Sequence, residues 1–298
     1  MRYRASMPPL LWDRRPDGLR APALVCAFKG WNDAAEAAST AVSFVGSALD
    51  AERFARIDPE DFYDFQNTRP RIRLTEGRTR EITWPEVEIY EARVPLAPRD
   101  LILLVGSEPS YRWRTFSGLI VDLAEAMGVQ LVVTLGALLA DVPHTRPVSI
   151  TGLASDGTLV DRLGLNSATY EGPTGITGVL HGACAEAGIP SASLWATVPH
   201  YIAATPNPKA SLALVRKLEG LVGVSVDAAE LEGSSAEYER QVNLAVQSDP
   251  DVQAFVERLE QAAEEDEPNF DPGDVPSGDT IAREFQRFLR QRGGDGGR

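Results

Sequence analysis

ALVCAFKGWNDAAEAASTAVSFVGSAL, residues 23–49, carries the pattern that decides the fold. Its first part, Ala23–Phe28, is an apolar run too short for a buried helix and suited to a strand covered on both faces. A polar loop, Lys29-Gly30-Trp31-Asn32-Asp33, follows. Ala38, Ala41, Val42, Val45 and Leu49 then recur at helical spacing, and Asp33 with Glu36 ahead of them fits a capping box. Working outward, Leu101–Val105, Leu131–Leu135 and Ser193–Thr197 read as further buried strands, each leading into a helix candidate or a polar loop. This alternation predicts a three-layer α/β fold, a mostly parallel sheet with helices on both faces. Between Arg53 and Val94 the pattern changes to alternation, as in Arg71-Ile72-Arg73-Leu74 and Val87-Glu88-Ile89-Tyr90, which predicts an antiparallel extension and therefore a mixed sheet.

The chain of 298 residues is 43% hydrophobic, which excludes a disordered protein, and its charge divides it. Residues 1–226 hold 25 acidic and 22 basic side chains, whereas residues 227–298 hold 18 and 7. The expected domains are an α/β unit over 1–226, an acidic helical extension over 227–267, and a linker, short amphipathic helix and disordered tail over 268–298. Asn207-Pro208 marks a helix start in the body; Asp227 with Glu230, and Asp249-Pro250, mark two more in the extension. The second extension helix carries Val252, Phe255, Val256 and Leu259 on one stripe. The linker EPNFDPGDVPSGD then breaks the helix ahead of a last stripe, Ile281, Phe285, Phe288 and Leu289.

Several function classes fall away. The apolar run Leu131–Ala140 is about half of what spans a bilayer, and MRYRASMPPLLWDRR has no apolar core for secretion, so a cytoplasmic protein is expected. Cys26 and Cys184 lie far apart in apolar segments and read as buried thiols rather than a bridge. The sequence contains no GxxxxGK[ST], HExxH, CxxC or GxSxG, which leaves no familiar basis for a phosphate loop, a zinc site or a hydrolase elbow, and no cofactor or metal is expected. The acidic balance disfavours nucleic acid and anionic membranes as partners. The arginine cluster Arg69, Arg71, Arg73, Arg78 and Arg80, interleaved with Ile72, Leu74 and Ile82, reads as the solvated face of a hairpin.

In open α/β sheets ligands bind outside the carboxyl ends of the strands, and here those ends are polar. Lys29, Asn32, Asp33, Glu108, His144, Glu171, Thr174 and His200 lie in the loops expected there and form a candidate crevice for a ligand or partner, with no catalytic residue assigned among them. Asp33 also suits a simple helix cap, and Glu108 and Glu171 suit bonds to loop amides or arginines. Trp31, Trp113 and Tyr201 occupy loop or helix-start positions suited to an interface anchor or to core packing.

Taken together, FKGWNDAAEAAS (28–39), FYDFQNTRP (62–70), GSEPSYRWRTF (106–116), LGALLADVPHTRPVSITG (135–152), YEGPTGITGVLH (170–181) and ATVPHYIAATPNPKA (196–210) resemble the proteasome assembly chaperone 2 family, in particular its actinobacterial branch. The resemblance covers about residues 20–222. It implies a phosphorylase/hydrolase-like fold with a C-terminal helical extension, and a homo-oligomer with the trimer favoured. Eukaryotic members hold proteasome ring subunits during assembly without catalysing a reaction, which implies a non-enzymatic protein-binding role and, by analogy, a proteasome-related partner. Those members dock through a hydrophobic–tyrosine–any-residue tail, whereas this sequence ends Gly-Gly-Asp-Gly-Gly-Arg, so ring docking by that route is not expected. The alternative class is a small-molecule enzyme or binder that uses the strand-end crevice.

Overall fold

Strand β2 (Ala23–Lys29) is the centre of the sheet. Ala23, Val25 and Ala27 point to one face and Leu24, Cys26 and Phe28 to the other, and all six are fully buried. That is why the run is apolar without alternation: helices cover both sides. The structure is a computed structural model that describes residues 9–75, 79–155, 172–202 and 204–266. The remaining strands are β1 (Leu10–Trp12), β3 (Glu52–Ile57), β4 (Arg71–Thr75), β5 (Thr79–Thr83), β6 (Val87–Ala92), β7 (Leu101–Ser107), β8 (Leu131–Ala140), β9 (Ile150–Ala154) and β10 (Ser191–Pro199). Eight of them form one sheet in the order β1-β3-β6-β7-β2-β8-β10-β9. The adjacent strands β7, β2, β8 and β10 are mutually parallel. By its pairing with β6, β3 runs the same way, while β1, β6 and β9 run against them, so the sheet is mixed with a parallel centre.

Helices α1 (Ala37–Ala48) and α4 (Pro208–Val222) cover the Val25 face, and α2 (Trp113–Ala126) and α3 (Ile176–Glu186) the Phe28 face. Helix α5 (Ala229–Gln247) packs on α4, and α6 (Pro250–Asp266) on α5. The cap expected at Asn207 forms: its side chain accepts from the Ala210 amide at 3.0 Å, with Pro208 in the first turn. The capping box at Asp33 and Glu36 does not form as read. Ala35 and Glu36 take positive φ (50° and 51°), so α1 begins at Ala37. The Asp33 carboxylate still takes the first free amides, from Ala38 at 2.7 Å and Ser39 at 3.3 Å, whereas Glu36 turns to Lys29. The cause is tertiary, because the Ala137 amide donates to the Asn32 carbonyl at 2.9 Å and draws the loop across β8.

Two edge strands, β1 and β9, are absent from the sequence reading; both are short and only partly buried, so they lack a strong apolar signature. The arginine-rich stretch forms a hairpin, β4–β5, as a separate two-stranded sheet. Its described arginines, Arg69, Arg71 and Arg73, are exposed to solvent, and so are Ile72, Leu74 and Ile82. Both cysteines are free and buried, and burial pushes their thiols upward, Cys184 to about 11. Among the described residues, no helix is long and apolar enough to cross a membrane.

Candidate functional site

The loops after β2 and β7 meet at the carboxyl edge of the sheet. Gly30, at φ 127°, permits the turn after β2 and lies against Glu108, and the Glu108 amide donates to the Lys29 carbonyl at 2.8 Å. Asn32 has no solvent exposure. Its Nδ2 donates to Glu108 Oε1 at 2.8 Å, and its Oδ1 accepts from Thr177 Oγ1 at 3.1 Å. Glu108 Oε1 also accepts from the Ile176 amide at 2.9 Å, which places a carboxylate at the positive end of α3. Gly175 makes this junction possible, because a Cβ there would lie 2.1 Å from Asn32 Oδ1. Beside it, the Tyr63 hydroxyl donates to the Ser107 carbonyl at 2.6 Å, and its burial near Glu108 raises its pKa.

A second polar cluster forms at the ends of β8 and β10. The Tyr201 hydroxyl accepts from the His144 amide at 2.8 Å and donates to Nδ1 at 2.6 Å, while Nε2 donates to Asn243 Oδ1 at 3.0 Å. This network holds the neutral imidazole protonated on Nε2. Burial pushes His144 below the usual histidine range, with Asn243 partly opposing the shift. Lys209 Nζ donates to the His144 carbonyl at 2.5 Å and pairs with Glu239 at 2.7 Å. Thr145 bonds Glu260, and Arg146 pairs with Glu264 at 2.7 Å. His200 Nδ1 lies 2.8 Å from Asp141 Oδ1 without hydrogen-bond alignment, and its ring meets Tyr201 and Phe255 edge to face. The cluster therefore fastens α5 and α6 to the body.

The structure thus divides the residues grouped by sequence. Asn32 and Glu108 come together and are joined by Thr177, which the sequence reading did not single out. Lys29 is exposed and pairs with Glu36 at 2.9 Å; Asp33 is buried, and its burial raises its pKa against the pull of the Ala38 and Ser39 amides. Thr174 is exposed beside Gly178, and Glu171 lies outside the described residues. His144 and His200 face the extension helices rather than Glu108. Asn243 and Tyr238, which complete their surroundings, sit on a helix whose link to residue 144 only folding reveals. Of the loop aromatics, Trp113 Nε1 donates to the Pro109 carbonyl at 2.6 Å and packs on the core, while Tyr201 is enclosed as described.

The polar side chains at this edge bond one another and the backbone, and large apolar side chains face outward from the same edge. Trp31 after β2 is 40% exposed, Tyr111 after β7 52%, and Leu139 near the end of β8 40%. Among the described residues, no group of three His, Cys, Asp or Glu side chains is placed to hold a metal ion. The gap lined by Val45, Leu101, Val215 and Leu218 lies between α1 and α4, inside the core and remote from these loops.

Comparison with known proteins places this architecture. The PAC2 family model matches residues 27–246. A PAC2 family protein from Streptomyces avermitilis is 47% identical, with a TM-score of 0.74 over 79% of this chain and 99% of its own. A Mycobacterium tuberculosis proteasome-assembly chaperone homologue is 43% identical, with a TM-score of 0.73 over 78% and 99%. Pyrococcus furiosus PbaB, an archaeal proteasome activator, shares the fold at 18% identity, with a TM-score of 0.63 over 79% and 97%. No curated protein is significantly similar in sequence. With the family model spanning most of the sheet and its helices, and two relatives above 40% identity, the chain belongs to the PAC2 family.

Proposed function

We propose that this chain is a non-enzymatic protein-binding factor of the assembly-chaperone kind, acting in the cytoplasm, and that its carboxyl-edge loops are the docking surface. The observation that carries this reading is the division of labour at that edge. Asn32, Asp33 and Glu108 are engaged inside the fold, where they fix the loops. Trp31, Tyr111 and Leu139 are left outward. Rigid loops with exposed aromatics suit protein docking, in which such side chains are the usual anchors. A small-molecule site would gather convergent polar groups around a concavity. The partner class comes from the relatives: the Mycobacterium protein is a proteasome-assembly chaperone homologue, so proteasome subunits are the first partner to test. Helices α5 and α6 buttress the same edge through His144 and Tyr201. A homo-oligomer, the trimer that the family resemblance favours, is part of the reading.

The test is capture of purified proteasome ring subunits on the immobilised full chain. Retention is expected with the wild type, and Trp31→Ala with Tyr111→Ser should lower affinity at least ten-fold while the melting temperature holds. No retention by the wild type, or equal retention by the double variant, would refute the proposal.

A further inference from the structure

We propose that residues 281–292 of this chain seat on its own carboxyl edge, over Tyr111, Trp31 and Leu139, and so compete with the partner that docks there. This inference rests on the reading of that edge as a docking surface. Tyr111, Trp31 and Leu139 belong to the neighbouring strands β7, β2 and β8 or to the loops after them, so they line about 10 Å of one sheet edge. Large exposed apolar side chains gathered in this way mark an interaction site. Residues 267–298 lie outside the described residues, and their sequence supplies a cover within the same molecule. Ile281, Phe285, Phe288 and Leu289 fall on one stripe at helical spacing.

Position and charge select this occupant. Helix α6 ends at Asp266, and Arg146, in the loop after β8, holds Glu264 at 2.7 Å, so the chain leaves the helix at the same edge. Fourteen residues, 267–280, separate Asp266 from Ile281. A linker of that length spans about 20 Å on average, enough to cross from β8 to β7. Tethered there, the segment is present at about millimolar effective concentration, far above a second copy at micromolar. Residues 281–298 carry five basic and two acidic side chains, whereas the loop after β3, residues 58–65, carries four acidic and no basic ones. That loop flanks Tyr111, because the Ser110 and Tyr111 amides donate to the Phe62 carbonyl at 2.7 and 3.0 Å. Glu60 and Asp61 are exposed in it, with Asp61 paired to Arg112 at 3.0 Å. Arg292 falls on the same stripe as the apolar residues, so it reaches this acidic loop while the stripe covers the aromatics. Helices α5 and α6 carry more acid, but among their described residues they expose one large apolar side chain, Leu244, and are the poorer seat.

A disulfide trap in the full chain, under mild oxidation at about one micromolar, tests the seat. Ser110→Cys/Phe288→Cys is expected to close an intramolecular bond at least ten-fold faster than Ser110→Cys/Gln286→Cys, whose second cysteine falls off the stripe. Cys26 and Cys184 are buried and do not compete. In the otherwise unchanged chain, Phe285→Ser/Phe288→Ser should bind purified proteasome ring subunits about ten-fold more tightly than wild type and speed amide exchange in the Trp31 and Tyr111 loops. Equal closure by the two cysteine pairs, or a bond formed between molecules instead of within one, would overturn the seat. Ring subunits bound equally by both proteins would overturn the competition and leave the docking surface standing. Ring subunits bound by neither, with selective closure at Phe288→Cys, would overturn the proteasome partner and support the seat.

Discussion

Gly175→Ala isolates the Asn32–Glu108 junction from every other effect of the loop. Gly175 sits at φ −94°, a backbone any residue adopts, so the added methyl brings no conformational strain. It brings a collision, at 2.1 Å from Asn32 Oδ1, 2.6 Å from Nδ2 and 2.7 Å from Cγ. Overpacking of this sort costs about 1–3 kcal/mol, and displacing Asn32 removes a donor from Glu108 and an acceptor from Thr177, at about 1–3 kcal/mol for a buried group left unpaired. Because relaxation shares these costs, the expected loss is about 3–5 kcal/mol. At roughly 2–4 °C per kcal/mol, this lowers the melting temperature by about 10 °C. Urea unfolding followed by circular dichroism gives the free energy, and a double-mutant cycle with Asn32→Ala gives the cause. Truncating Asn32 in the Gly175→Ala background removes the collision, so the double variant should be more stable than Gly175→Ala alone, with a coupling of about 2 kcal/mol. A melting temperature within 2 °C of wild type, or strictly additive losses, would refute the reasoning.

Two further outcomes are expected from the second cluster and its surroundings. Burial lowers the pKa of both His144 and His181 in the folded chain, so the unfolded chain binds more protons between those lowered values and its own pKa of about 6.5. Stability should therefore be level above pH 6.5, fall as the pH drops below it, and lose part of that slope in His144→Gln; a profile with the same slope in both proteins counts against buried neutral His144. Neutralising Lys209, which lowers the His144 pKa, should raise the midpoint, and neutralising Glu239 or Glu260, which raise it, should lower it. Tyr201→Phe removes the hydroxyl that serves both the His144 amide and its Nδ1, at about 1–3 kcal/mol, and should speed amide exchange in α5 and α6 ahead of the sheet. Uniform exchange across all elements would show that Tyr201 does not fasten the extension.

Much of this molecule is legible in one dimension. The strands at Ala23, Leu101, Leu131 and Ser193 declare themselves because both of their faces are buried, and the Asn207 cap because its chemistry is local. Glycine, proline and charge likewise mark the acidic extension, and the joint motifs point to the family without any coordinate. The short strands β1 and β9 do not declare themselves, because an edge strand of three to five half-covered residues has too few apolar positions to form a pattern. The site divides in the same way. Sequence identifies the polar loops at strand ends, since every strand of a parallel sheet must end in one. Which loops meet is decided by strand order: β2 lies beside β7 and β8, so Asn32 meets Glu108, while β8 and β10 deliver His144 and His200 to α5 and α6. The bond between His144 and Asn243 spans 99 residues, and no local periodicity encodes a pairing of that separation. Residue types and spacings therefore determined the elements and the family. Only packing decided which polar groups bond one another, and which apolar side chains stay exposed.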